Sequence, residues 1–137
     1  MDQTAPLIYV VEDDREIRNI LEEVLTDAGY QTLGCPTAYE AWYLIEAEPP
    51  DLMLLDNHLE QYAAGWALLK KVRTESAAAK VPIIIISADV QFLRLWSSEL
   101  HAQGCFVIEK PFDLDDVLAT VYAAIGVAPI EHDVPGV

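Results

Sequence analysis

The chain has 137 residues, 53% of them hydrophobic, which suits one domain with one core and leaves no room for two. Its 8 Lys and Arg residues against 23 Asp and Glu residues give a formal net charge of −15. That charge has the wrong sign for nucleic acid or an anionic membrane surface, so we expect neither as a direct partner.

The apolar runs and the cysteines indicate a soluble, cytoplasmic chain. The first run, Leu7 to Val11, has no basic segment before it and is followed at once by acids, so we expect no secretory signal. No run approaches the roughly 20 residues that cross a bilayer. Cys35 and Cys105 form no CxxC pair, and we expect both to be buried free thiols.

Short apolar runs alternate along the chain with segments of helical periodicity. The runs LIYVV, LMLL and VPIIII are typical of strands buried on both faces of a parallel sheet. Weaker strands are predicted over Gln31–Cys35 and Cys105–Glu109. Thr37 is a suitable cap for the second helix, and Gly29 follows the first where a helix ends. Helices are predicted at 17–28, 37–47, around 66–72, at 89–102 and at 113–125.

Five strands alternating with five helices predict an α/β fold with a doubly wound parallel sheet and right-handed crossovers. In such sheets, functional groups gather at the carboxyl ends of the strands. Glu12 and Asp13 follow the first strand, Asp56 ends the third, Ser87 ends the fourth and Lys110 follows the fifth. Crowded carboxylates either share a proton or recruit a cation, and oxygen ligands suit Mg²⁺. Facing a lysine, they favour phosphoryl transfer to an aspartate.

The motifs VVEDD, LLDNHL, IIIISA and EKPF resemble, in their order, the four motifs of response-regulator receiver domains. The resemblance extends from about Leu7 to Ile125. It implies a flavodoxin-like sheet of order 2-1-3-4-5, with a receiver domain at residues 1–126 and a flexible tail at 127–137. The two cysteines would then lie on opposite edges, roughly 19 Å apart, too far for a disulfide.

The resemblance also implies a role for each motif residue. Asp56 would accept the phosphoryl group, Asp13 would bind Mg²⁺ directly, and Glu12 would act largely through water. His58 would contribute its backbone carbonyl, and its ring faces either the mouth of the site or solvent. The other roles fall to Ser87, whose hydroxyl would bond the phosphoryl group, to the small neighbour Ala88, and to Lys110, joined to Pro111 by a cis peptide bond.

Some residues have a structural alternative or depart from the family pattern. Asp14 is interpreted as favouring the start of the first helix, and Ser87 could cap the fourth. The family places a mobile aromatic residue three positions before the lysine, where this chain has Val107 with Phe106 beside it. The loop after Asp56 carries one extra residue, which puts its conformation in question.

The implied function is that of a phosphoacceptor in a two-component phosphorelay, not an enzyme, with a sensor histidine kinase or histidine phosphotransfer protein as donor. Output would pass through protein contacts. Homodimerisation through the fourth helix, fifth strand and fifth helix is one such contact, and Leu95 would belong to it or pack under a loop. The main alternative is a phosphorylation-independent interaction module. A haloacid dehalogenase type enzyme fits poorly, because it needs a second Asp where this chain has His58.

Overall fold

Five strands and six helices alternate in the computed structural model, which describes residues 5–56, 62–76 and 78–126. The strands are Leu7–Val11 (β1), Gln31–Cys35 (β2), Leu52–Asp56 (β3), Ile83–Ser87 (β4) and Cys105–Glu109 (β5). The helices are Arg15–Asp27 (α1), Ala38–Ile45 (α2), Tyr62–Glu75 (α3), Val90–Leu95 (α4), Ser97–Ala102 (α5) and Leu114–Ile125 (α6).

All five strands pair in parallel in the order β2-β1-β3-β4-β5, which confirms the predicted α/β fold and strand order. Alternate residues of the three central strands, β1, β3 and β4, enter two different cores. On β1, Ile8 and Val10 pack with α1 and α6, whereas Tyr9 and Val11 pack with α2, α3, α4 and α5. The central strands β3 and β4 are buried along their whole length, because helices cover both faces of the sheet.

Side-chain caps fix where the helices begin. Asp14 accepts from the amide of Ile17 at the start of α1, which confirms its predicted role there. Thr37 accepts from the amide of Glu40 at the start of α2, as predicted. Beyond the end of α1, Gly29 has a φ of 103°, a conformation that favours glycine.

The prediction of one helix over residues 89–102 is wrong, so the described residues contain six helices rather than five. The segment forms α4 and α5, and Trp96 lies between them with φ −105° and ψ 12°. Ser97 and Ser98 follow the break. Serine has low helix propensity, and its hydroxyl competes for backbone hydrogen bonds, so a serine pair is a common site for a break. Leu93 and Leu100 remain buried, while Leu95 is 76% exposed.

The cysteines are free and buried on the two edge strands, as predicted. Within the part of the chain that is described, no helix combines the length and apolarity needed to cross a membrane. The predicted tail at 127–137 and the loop that carries His58 lie outside the described residues.

Arg73, near the end of α3, joins the segments that enter β4 and β5. Its guanidinium donates to the carbonyl of Gln103 at 2.8 Å, and to the carbonyls of Ala79 and Val81 at 3.0 and 2.6 Å. These carbonyls lie at the amino ends of the strands, opposite the predicted site. Arg73 is therefore a structural anchor.

We expect Arg73→Ala to lower the free energy of unfolding by about 2 kcal/mol or more, because three carbonyls lose a charged donor. Lys70→Ala, an exposed residue of the same helix, is the control and should change it by less than about 0.5 kcal/mol. Urea denaturation followed by circular dichroism measures both. Equal midpoints for the two variants would contradict the assigned role.

Candidate functional site

Three acids meet at the carboxyl ends of two neighbouring strands. Glu12 and Asp13 directly follow β1, and Asp56 is the last residue of β3, which pairs with β1. One carboxylate oxygen from each residue lies within 4.8 Å of the others. Glu12 and Asp56 are only 3% and 4% exposed, whereas Asp13 is exposed. The structure thus brings together the three acids that the sequence predicted as a cluster.

Lys110 reaches this cluster from the end of β5. Its ammonium lies 2.8 Å from Asp56 Oδ2 and 3.9 Å from Glu12 Oε1. Its backbone amide donates to the carbonyl of Ser87 at 2.8 Å, which joins the ends of β4 and β5. The Lys110–Pro111 bond is cis, as the resemblance implied.

Crowding changes the protonation of one acid. Burial, together with a hydrogen bond to Asp56, raises the pKa of Glu12 from 4.5 to about 8. The nearby Lys110 acts in the opposite direction but more weakly. Without a metal ion, Glu12 therefore carries a proton at neutral pH, and its neutral side chain lies beside the salt bridge between Asp56 and Lys110.

The chemistry of the cluster fits Mg²⁺. All three side chains offer hard oxygen ligands, and an ion bound at about 2.1 Å spaces its oxygen ligands up to about 4.2 Å apart. The spacing of the cluster is only slightly wider than this. An exposed residue, Asp13, forms the open side, where water ligands can complete an octahedron.

Ser87 and Ala88 lie at the end of β4, next to the acidic cluster. Ser87 is fully buried, and its hydroxyl oxygen accepts from the amide of Asp89 at 2.9 Å. Asp89 in turn caps α4 by accepting from the amide of Phe92, so the idea that Ser87 caps this helix is wrong. Asp89 is an additional capping residue that its sequence position could have identified, because an Asp before an apolar segment is a recognised helix start signal. Ala88 is exposed.

The two candidates for a switch residue point to opposite faces of β5. Phe106 packs against the core formed with α1 and α6. Its neighbour Val107 points the other way, as strand geometry requires, and is 40% exposed. Ser87 belongs to the alternation of Ile83 and Ile85, which face the core formed with α2 to α5. Phe106 therefore lies on the face of the sheet away from the Ser87 side chain.

Three hydrogen bonds, with partners on β2, in the loop after β1 and on α1, hold Glu12 in place. The amide of Glu12 donates to the carbonyl of Cys35 at 3.0 Å, and its carboxylate accepts from the amide of Asp14 at the same distance. Its carbonyl accepts from Nη1 of Arg18 at 2.9 Å. Arg18 could not be identified from the sequence, because neither its type nor its spacing distinguishes it from other basic residues on a helix surface.

A doubly wound sheet with polar groups gathered at its carboxyl edge places this chain among the α/β domains that bind ligands at that edge. The sequence matches the model of the response regulator receiver domain over residues 8–122. The chain therefore belongs to the response regulator receiver domain family, whose members work in two-component signalling.

Similar proteins include DNA-binding transcriptional regulator NtrC of Escherichia coli, 32% identical over 120 residues. That match covers 87% of this chain but 24% of NtrC, so the chain spans about a quarter of that relative. Sporulation initiation phosphotransferase F of Bacillus subtilis is 32% identical over 110 residues, which cover 80% of this chain and 86% of that protein. A CheY-like receiver domain from Methanospirillum hungatei has the same fold, with a TM-score of 0.77 at 24% identity, covering 89% of this chain and 94% of that one.

The raised pKa of Glu12 predicts that protons compete with Mg²⁺. Binding requires the carboxylate, so the affinity should fall as the pH drops below about 8, by up to tenfold per pH unit, and level off above it. Without metal, the folded chain keeps this proton where the unfolded chain loses it, so the free energy of unfolding should fall as the pH rises from about 4.5 to about 8.

Calorimetric titration with Mg²⁺ in buffers of different ionisation enthalpy measures both affinity and proton release. Glu12→Gln has no proton to release and should bind with weak pH dependence. An affinity for Mg²⁺ in the parent chain that is constant between about pH 6 and about pH 8 would contradict the assignment.

Proposed function

We propose that this chain is the phosphoacceptor of a two-component phosphorelay and receives a phosphoryl group on Asp56 from a histidine kinase or histidine phosphotransfer protein. The observation that carries the proposal is the contact of Asp56 with Lys110 inside a cluster of three carboxylates. The match to a phosphotransferase of similar length supports it.

The transfer needs a nucleophile, charge neutralisation and room for the phosphoryl group. A carboxylate oxygen of Asp56 attacks phosphorus while the bond from phosphorus to the donor imidazole breaks. The bonding pair stays on that nitrogen, and because the other ring nitrogen carries a proton the donor leaves as a neutral histidine while Asp56 becomes an acyl phosphate. The ammonium of Lys110 contacts Asp56 and would therefore also lie close to a phosphoryl group bound there. It would neutralise the charge of one phosphoryl oxygen. Mg²⁺, bound by Glu12, Asp13, Asp56 and the carbonyl of His58, would neutralise the remaining charge.

Ser87 would connect the phosphoryl group to α4. Its hydroxyl now accepts from the amide of Asp89, the residue that caps α4. A turn of this hydroxyl toward a phosphoryl oxygen, into the space left by Ala88, would remove that acceptor. The equilibrium of α4 would then shift by as much as the phosphoryl group prefers one arrangement over the other.

Phosphorylation of Asp56 is testable by intact mass after incubation with Mg²⁺ and acetyl phosphate. The parent should gain one phosphoryl group, and Asp56→Asn none. Asp13→Asn and Asp14→Asn form a matched pair, because the neighbouring acids differ only in role. We expect at least tenfold slower phosphorylation for Asp13→Asn, whereas Asp14→Asn, which keeps a good helix cap, should react like the parent.

If Asp56→Asn gained as much phosphate as the parent, Asp56 would not be the acceptor. Equal losses for Asp13→Asn and Asp14→Asn would instead indicate a general effect of charge in this loop.

The surface formed by α4, β5 and α6 is the proposed contact for output, with a second copy of the chain as partner. Leu95, Val107 and Tyr122, one residue on each element, are 76%, 40% and 52% exposed. Val107 also lines two grooves of about 540 and 440 Å³, one beside α5 and one beside α6. Apolar side chains beside an edge strand are typical of a surface that pairs.

We expect Leu95→Asp to weaken dimer formation by about tenfold or more, because it places a charge in an apolar contact. Tyr39→Asp is the matched control, since Tyr39 is 75% exposed but lies on α2. Sedimentation with beryllofluoride, which mimics the phosphoryl group, measures the dimer. Unchanged dimer formation by Leu95→Asp would remove this residue from the interface.

A phosphorylation-independent interaction module is the second candidate. Val107 occupies the place of the family's aromatic switch residue, and Phe106 packs on the opposite face of β5. This candidate predicts the same partner binding with and without beryllofluoride, whereas a working switch predicts a difference. If the chain is a phosphoacceptor, we infer that its chemistry is limited to its own phosphorylation and dephosphorylation. For both candidates we infer a cytoplasmic protein with a domain at 1–126 and a tail at 127–137.

A further inference from the structure

Arg18 contacts the acidic site through the backbone. From the second turn of α1, its Nη1 donates to the carbonyl of Glu12 at 2.9 Å, and the side chain is half-buried. This carbonyl belongs to the peptide unit that joins Glu12 to Asp13. The orientation of that single plane determines the direction in which both side chains leave the chain.

The sheet fixes the backbone amide of Glu12 but not its backbone carbonyl. The amide of Glu12 donates to the carbonyl of Cys35, where β2 ends. The carbonyl of Glu12 lies beyond the last paired residues of β1 and β2. Arg18 supplies a charged donor to it, and such hydrogen bonds are stronger than neutral ones.

Gly34 on the edge strand β2 leaves the space that Arg18 uses. A Cβ atom at position 34 would lie 3.2 Å from Cδ of Arg18 and would overlap the carboxylate of Glu22. Arg18 and Glu22 are one helical turn apart, so both side chains cross β2 where it has no side chain of its own. The glycine at position 34 therefore provides the space in which the Arg18 side chain reaches the carbonyl of Glu12.

We infer that Arg18 is a positioning residue for the metal site. Its guanidinium holds the Glu12–Asp13 peptide in the orientation that aims both carboxylates at one ion. This inference rests on the proposed Mg²⁺ site, and Arg18 itself touches neither the ion nor the phosphoryl group.

Positioning and simple electrostatics predict opposite signs for the loss of Arg18. Removing a positive charge near three acids strengthens their attraction for a cation, so electrostatics alone predicts tighter Mg²⁺ binding. Loss of positioning predicts weaker binding, and the loss of a residue that orients metal ligands typically costs about tenfold or more in affinity. The sign of the change therefore separates the two effects.

The test is calorimetric titration of the full chain with Mg²⁺ alone. We expect Arg18→Ala to bind about tenfold more weakly than the parent. Arg15→Ala removes the same charge from the exposed first residue of α1, and it should bind as well as the parent or slightly better. If Arg18→Ala binds as tightly as Arg15→Ala, Arg18 does not position the site. If the parent itself does not bind Mg²⁺, the proposed function fails rather than this inference alone.

Gly34→Ala gives a second test that keeps the net charge unchanged. The added methyl group would overlap the carboxylate of Glu22 and press on Cδ of Arg18, so we expect both side chains to shift and the affinity to fall several-fold. Glu22→Ala removes the overlapped carboxylate without crowding Arg18, and it should not weaken binding. A purely structural role for Arg18 would lower the metal-free melting temperature of Arg18→Ala and of Gly34→Ala and leave the affinity of the folded protein unchanged. Should Arg18→Ala not fold, weaker binding by Gly34→Ala supports positioning, and an affinity equal to that of the parent overturns it.

Discussion

Repulsion among carboxylates at the ends of two adjacent strands is the constraint on which this site depends. Parallel pairing of β1 with β3 brings Glu12 beside Asp56, and both are almost fully buried. Two buried charges of the same sign are not stable so close together. The chain resolves this with a proton on Glu12 and an ion pair between Asp56 and Lys110. A divalent cation would replace the proton, which is the physical basis for assigning a metal to this site.

The two ends of the sheet differ in the residues they contain: a structural arginine at the amino ends of the strands and the acidic cluster at the carboxyl ends. At the amino ends of β4 and β5, Arg73 joins the backbone carbonyls of Gln103, Ala79 and Val81, far along the strands from the acidic cluster. At the carboxyl ends, polar side chains lie close together, and one of them, Asp13, is exposed to solvent. This division allows the carboxyl edge to exchange ligands while hydrophobic packing and Arg73 maintain the fold.

Only two hydrogen bonds separate Ser87, beside the acidic cluster, from the first turn of α4. Ser87 contacts the amide of Asp89, and Asp89 caps α4, which ends at the exposed Leu95. On the neighbouring β5, Val107 lies partly exposed on the same face of the sheet as Ser87. The break at Trp96 makes α4 only 6 residues long. A helix this short has little stability of its own and depends on its cap and its packing, so a change at Ser87 can reach it.

The sequence by itself determined the strands, their parallel order through the family resemblance, the caps at Asp14 and Thr37, and the acids and lysine of the site. These features follow from local patterns: apolar runs, capping residues and motif positions at strand ends. Tertiary structure alone decided the face on which Phe106 packs and the contact of Arg18 with the carbonyl of Glu12, and it decided whether the helix breaks before the serine pair at 97 and 98. Each depends on atoms distant along the chain or on a balance between similar backbone conformations. Residue type and spacing do not encode how a guanidinium crosses a neighbouring strand at a glycine.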